Sequence, residues 1–167
     1  VMSVVLFADR ADAGRRLSDQ LMRLRGDADV IVVGLPRGGV PVAREVAMAL
    51  GAPLDVMLVR KLGVPGQREL AMGAVGEHGV RIFNDAVIAH CGVTPAEIER
   101  TVAHEVAELH RRAGVFRGSR PPLELAGRTV VLVDDGLATG ATARAACEAA
   151  RRRGAARVVL AVPVAPH

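Results

Sequence analysis

Asp134 and Asp135 stand side by side at the end of an unbroken aliphatic run, residues 130–133, and Gly136, Thr139, Gly140 and Thr142 follow them within one short loop. Adjacent carboxylates at the end of a buried strand attract hydroxyls, a divalent cation, or positive charge that develops during a reaction. The loop after them has the opposite preference. Glycines let backbone amides approach a ligand closely and threonines add hydroxyl donors. The start of a following helix adds partial positive charge worth about 0.3–2 kcal/mol to an anion. Phosphate suits the loop but not the acids, which would repel it. A ligand with a phosphate at one end and a diol in its middle satisfies both, and ribose 5-phosphate has that form.

Other phosphate motifs fit less well. GLATGAT lacks the spacing and the lysine of a Walker A loop, and a dinucleotide fingerprint would open on G-x-G-x-x-G rather than on acids. An Asx-turn with an N-capping threonine explains one acid and one threonine. It does not call for two acids, two glycines and two threonines in residues 134–142. Upstream, Pro36, Arg37, Gly38 and Gly39 form a second anion-friendly turn, since glycines expose amides and Arg37 offers a planar fork. Alone, PRGG is equally well explained by a type II turn. Arg60 and Lys61 end the next apolar run, and Lys61 is the one lysine of the chain. HEVAELH (104–110) is not a zinc motif: H-E-x-x-H requires a histidine at 108, where Glu108 stands, so a solvated helix face is expected. Asp9 and Arg10, at the end of the first apolar run, are placed where they could border the site, but surface pairing is the expectation.

These residues sit between alternating strands and helices. Apolar runs at 3–7, 29–35, 54–59, 128–133 and 157–164 read as buried strands. Helical spacing is seen at 11–25, at 40–50 before Gly51, and at 141–153. Continuous rather than alternating hydrophobicity, with helices between, predicts a doubly wound, mostly parallel α/β sheet in a single domain over 1–167. Residues 60–125 interrupt it. Within them 61–73 is glycine-rich and reads as a mobile loop, and 74–84 reads as a hairpin turning at EHG. TPAE (94–97) starts a helix with Thr94 as N-cap, Pro95 at its first position and Glu97 closing a capping box. Ile98, Val102, Val106 and Leu109 give that helix an apolar face to about Arg112.

The 167 residues, half of them hydrophobic and a quarter charged, suit a soluble globular domain, and no apolar run is long enough for a membrane span. Nor does the start of the chain read as a signal peptide. Two distant cysteines fit a reducing, cytoplasmic setting without a zinc site. Net charge is only +4, with no Trp or Tyr to stack bases, so nucleic acid is not an expected partner.

VVLVDDGLATGAT (130–142) resembles the phosphoribosyl-pyrophosphate (PRPP) signature of type I phosphoribosyltransferases: an aliphatic strand, two acids, and a loop closing in T-G-x-T. The resemblance implies that Asp134 and Asp135 engage the ribose hydroxyls and Mg2+, the latter directly or through water or those hydroxyls. It assigns the 5-phosphate to Gly136, Leu137, Ala138, Thr139, Gly140, Ala141 and Thr142. GLPRGGVPVA (34–43) is similar to the family's pyrophosphate loop, through Pro36, Arg37, Gly38 and Gly39. Arg60 and Lys61 stand where the family keeps basic residues near pyrophosphate. The likeness covers about 28–162. It implies Mg2+-dependent transfer of the 5-phosphoribosyl group to a nitrogenous acceptor with release of pyrophosphate. Asp134, Asp135, Arg37 and Lys61 would carry catalysis, and the 61–73 loop would close over the reaction.

RKLGVPGQRELAMGAV looks closest to a subgroup of bacterial phosphoribosyltransferases of unassigned acceptor. Ala138 replaces the aspartate that 6-oxopurine salvage enzymes usually place before T-G, which argues against hypoxanthine or guanine. An aromatic base platform could come only from scarce phenylalanines such as Phe83 or Phe116. The sequence stops at APH just after a core strand, so C-terminal hood residues are expected to be missing. A homodimer is compatible with such folds. The alternative is a non-catalytic module that senses PRPP or nucleotide. Arg37 and a loop bearing Lys61 favour catalysis over it.

Overall fold

The computed structural model of the chain describes residues 7–137 and 140–165. The strand expected at 3–7 therefore lies outside the described residues, apart from Phe7. In chain order the elements are α1 (Arg10–Asp19), β1 (Val30–Gly34), α2 (Gly39–Leu50), β2 (Leu54–Val56), β3 (Val59–Val64), β4 (Gln67–Gly76), β5 (Arg81–Phe83), α3 (Asp85–Cys91), α4 (Pro95–Arg117), β6 (Thr129–Val133), α5 (Ala141–Arg152) and β7 (Arg157–Ala161). Short 3-10 turns at Met22–Leu24 and Glu77–Gly79 complete the list.

Four strands form a parallel sheet in the order β2-β1-β6-β7. Alternate residues of its central strands face opposite ways. Val30, Val32, Val131 and Val133 pack under α1 and α2 with Leu21, Val42, Val46 and Leu50. Ile31, Val33, Val130 and Leu132 pack under α5 with Met57, Leu125, Ala146 and Ala149. Both faces are covered, which is why these strands read as unbroken aliphatic runs. The doubly wound architecture is the one expected from the sequence. Helix α2 ends as expected at Gly51, which takes the left-handed conformation (φ 67°) that a side chain would disfavour.

The interrupting segment is more ordered than its composition suggests. Val59–Val64 and Gln67–Gly76 pair as an antiparallel hairpin where a mobile loop was expected, and β5 adds a third strand. Gly63 falls at a register shift; a side chain there would meet the Arg68 carbonyl oxygen at 2.7 Å. Gly66 turns the hairpin at φ 79°. The residues that looked like chain breakers are thus a bulge and a turn. The expected strand at 54–59 splits accordingly, three residues joining the parallel sheet and the rest leading into the hairpin. Helix α4 carries the expected capping box at Thr94 and Glu97 but continues to Arg117. Its Val102 packs with Leu62, Val64, Met72 and Val75 of the hairpin. Helix α1 is shorter than expected, ending at Asp19. Among the described residues, no helix is long and apolar enough to cross a membrane.

Candidate functional site

From β1 the chain moves outward through α2 to β2, and from β6 it moves the other way through α5 to β7. The carboxyl ends of β1 and β6 are therefore neighbours from which the two connections diverge. In open α/β sheets ligands bind at such a switch point. Both anion-friendly segments of the sequence leave the sheet here.

After β1, Leu35 donates its N–H to the carbonyl of Val133 at 2.9 Å, extending the sheet contact into the turn. The Pro36–Arg37 peptide is cis. Gly39 donates to Leu35 O at 3.0 Å and opens α2. A Cβ on Gly39 would sit 2.6 Å from the Val133 carbonyl and 2.8 Å from Asp134 Cα, and one on Gly38 would overlap the Asp135 carboxylate. Only glycines let the turn lie against the two acids this closely. Arg37 is exposed, and its guanidinium has no hydrogen-bond or ion-pair partner among the described residues.

After β6, the carboxylate of Asp134 folds back so that its Oδ1 accepts the Asp135 N–H at 2.9 Å. Burial, reinforced by the neighbouring Asp135 charge, pushes Asp134 up to about 6, against the partial relief of that backbone donor. Asp135 is held from outside. Arg10 Nε and Nη2 both donate to its Oδ2, at 3.0 and 2.9 Å. Leu137 N–H donates to Val164 O at 2.9 Å, tying the loop to the segment beyond β7. Gly140 reaches φ 73° at the start of α5. A cavity of about 150 Å3 is lined by Asp134, Gly136, Leu137, Gly140, Ala141, Thr142 and Ala143. Ala138 and Thr139, two of the expected loop residues, lie outside the described residues.

The helix starts at this point differ from those elsewhere. Asp9, Asn84 and Thr94 cap α1, α3 and α4 with side-chain oxygens, and each of those helices carries an acid in its first turn. Helices α2 and α5 instead open on glycines, Gly38 and Gly140, which have no side chain with which to cap them, and neither helix carries an acid in its first turn. Glycine openings of this kind let an anion approach backbone amides closely at a helix start.

Arg60 and Lys61 are engaged away from the acids. Arg60 pairs with Glu105 at 2.7 Å, and Lys61 donates to the Glu69 carboxylate at 3.3 Å. Both line a different cavity of about 540 Å3, between the hairpin and α4, with Arg68, Arg100 and His104. Glu105, expected on a solvated face, is instead half-buried against Arg60. Phe83 lines a groove beside α5 with Asn84 and Arg144, and Phe116 packs near Val56 and Leu109. Arg10 is the site residue that sequence reasoning set aside. Asp135 lies 125 positions away in the chain, and no local pattern links the two.

The two acids offer hard oxygen ligands, and no cluster of three or more metal-binding side chains occurs among the described residues. That donor set suits Mg2+ carried in by a phosphorylated ligand, an ion that keeps its waters and needs only one or two carboxylates, rather than an all-protein cage.

The family model for the phosphoribosyl transferase domain matches residues 7–167. A Mycobacterium tuberculosis H37Rv protein provisionally named a phosphoribosyl transferase is 57% identical over 161 residues, covering 96% of this chain and 36% of that protein. This chain therefore spans about a third of that relative's length. A protein named bifunctional protein PyrR from Chloroflexus aurantiacus is 34% identical over 129 residues, covering 75% of this chain and 65% of its own length. Among solved structures, TT1426 from Thermus thermophilus has a TM-score of 0.82 at 47% identity, over 95% of this chain and 75% of that one. By family model and by relatives alike, the chain belongs to the type I phosphoribosyltransferase family.

Proposed function

We propose that this domain is a pentosyltransferase that moves the 5-phosphoribosyl group of PRPP to a nitrogenous acceptor and releases pyrophosphate. One observation carries the reading: the two glycine turns that open α2 and α5, helices with no acid in the first turn, flank a pair of adjacent carboxylates at the switch point. The amides around Gly136, Leu137, Ala138, Thr139, Gly140, Ala141 and Thr142 would take the 5-phosphate. Those of Pro36–Gly39 that carry N–H would take pyrophosphate, with Arg37 turning its free guanidinium onto it. Asp134 and Asp135 would accept from the ribose diol and face C1. As the C1–O bond to pyrophosphate breaks, positive charge grows on the ribose ring, and the two carboxylates stabilise it without moving. Mg2+, held by these acids and the ligand's own oxygens, would offset charge on the departing pyrophosphate. Lys61 would reach the leaving group only after parting from Glu69, which requires the hairpin to fold over the site and exclude water. A cytoplasmic setting goes with this reading, since PRPP would be met there.

The pairing of Arg60 with Glu105 and of Lys61 with Glu69 favours a second reading, a domain that binds PRPP or nucleotide without turnover. Calorimetric titration with PRPP and Mg2+, comparing the native protein with Asp134→Asn/Asp135→Asn, tests the shared part of both readings. Saturable binding that the double variant loses is expected. Absence of binding by the native protein would sink both. Pyrophosphate release over a panel of purines, pyrimidines and amines then separates them: turnover with one acceptor supports the transferase, and silence despite tight binding supports the sensor.

A further inference from the structure

Arg10 belongs to the first turn of α1, and that turn is firmly built. Asp9 Oδ1 accepts the Asp12 N–H at 2.7 Å, and Asp12 Oδ2 accepts the Ala8 N–H at 3.1 Å. The helix is seated on α2 by Gly14, where a Cβ would meet the Val42 carbonyl and Glu45 Cβ, both at 2.8 Å. Helix α2 in turn begins at the Gly38–Gly39 turn. The carboxylate of Asp135 is thus enclosed from two sides, by Gly38 of the turn and by two N–H groups of Arg10, and both of those donate to the same oxygen.

That carboxylate is one the proposed function needs. A ribose hydroxyl donating to Oδ2 would compete with the two guanidinium donors, and a divalent cation on the same carboxylate would repel the arginine. We propose that Arg10 is a latch on Asp135: it neutralises the acid in the ligand-free protein, and PRPP with Mg2+ binds by displacing it. The displaced side chain has somewhere to go. A groove of about 560 Å3 adjoins Asp135, lined by Phe7, Ala13, Val42, Pro163 and Val164 besides Arg10 itself. The latch is also weak enough to open. The Arg10 side chain is 60% exposed and that of Asp135 34%, so solvent and salt screen the pair. The latch rests on the reading of Asp135 as a ribose and Mg2+ ligand. It goes beyond that reading by giving a role to a residue outside both glycine turns.

The test is PRPP and Mg2+ affinity in native protein and Arg10→Gln, at low and high salt. The latch predicts tighter binding by Arg10→Gln, by about two- to fivefold at low ionic strength, with the difference shrinking as salt rises. Removing a positive charge near an anionic ligand would otherwise weaken binding, so the sign is diagnostic. Equal or weaker binding by Arg10→Gln would overturn the latch, the weaker case making Arg10 a direct ligand contact. The 15N resonance of Arg10 Nε–Hε gives a second reading without ligand: it should shift in Asp135→Asn, and an unmoved resonance would show that the pair does not form. Failure of PRPP to bind either native or Arg10→Gln protein would instead sink the proposed function.

Discussion

Asp134 is the residue where function and stability pull apart. Burial and the adjacent Asp135 hold its carboxyl at about 6, well above the ordinary 3.8, so the folded chain binds this proton more tightly than the unfolded one. Between about pH 4 and 6 the native state keeps a proton that the unfolded chain has released, and the charge it must carry above that window costs stability. A ligand with a diol and a divalent cation would reverse the preference by favouring the carboxylate. Asp134→Asn should therefore be more stable than native protein at neutral pH in the absence of ligand, by about 1–2 kcal/mol once solvent screening of a half-buried group is allowed for. The gain should fade as pH falls through about 6 and vanish near pH 4. Urea midpoints of the two proteins across that range check this. A gap that does not change with pH would mean the carboxyl is not desolvated as its surroundings imply.

At the scale of elements, the site's framework was legible because its signals are local. Strands β1 and β6 read as aliphatic runs because both faces are covered, and the acids and glycines at their ends needed only position along the chain to suggest a ligand. The capping box of α4 is likewise written in Thr94, Pro95 and Glu97. The expected hairpin turning at EHG is present as β4 and β5, whereas the β3–β4 hairpin was hidden because Gly63 and Gly66 read alike as breakers, although one makes a bulge and the other a turn. The extension of α4 beyond the apolar periodicity has a tertiary cause. Arg117, at the end of that helix, is buried and bonds to Asp55 at 3.2 Å, to Glu77 at 2.6 and 3.0 Å and to the Val56 carbonyl at 2.6 Å. Glu77 also accepts from Leu58 N–H, and Asp55 from Leu123 N–H. One guanidinium thereby joins α4, β2 and the turn after β4. Arg117→Met should cost about 3–5 kcal/mol in urea unfolding, because it leaves two buried carboxylates without their cation. Adding Asp55→Asn and Glu77→Gln should recover part of the loss. A single variant within about 0.5 kcal/mol of native would show that the network is solvated.

At the scale of the whole molecule, the question is whether the interrupting segment is a separate body. Its sheet shares a core with the parallel one: Val80, Val59 and Ile82 pack with Ile31, Val33, Leu132 and Ala146. The Arg117 network binds it from another side. Such interlocking argues for one cooperative unit, and amide probes at Val32 in β1 and Val75 in β4 should lose structure at the same urea concentration. The far end of the hairpin differs. Gln67, Arg68, Glu69 and Leu70 are exposed, whereas Met72 and Val75 are buried. Few buried contacts hold that tip, so it should open without the rest, with amide exchange at Arg68 and Glu69 much faster than at Val75. This is the behaviour a closing flap needs, a free end carried on a base that unfolds only with the core. Midpoints for Val32 and Val75 that separate by more than about 0.5 M urea, at m-values of about 1–3 kcal/mol per molar, would make the antiparallel sheet an independent unit. Lys61 would then ride on a moving platform, and closure over the acids would be a motion of the whole insertion rather than of its tip.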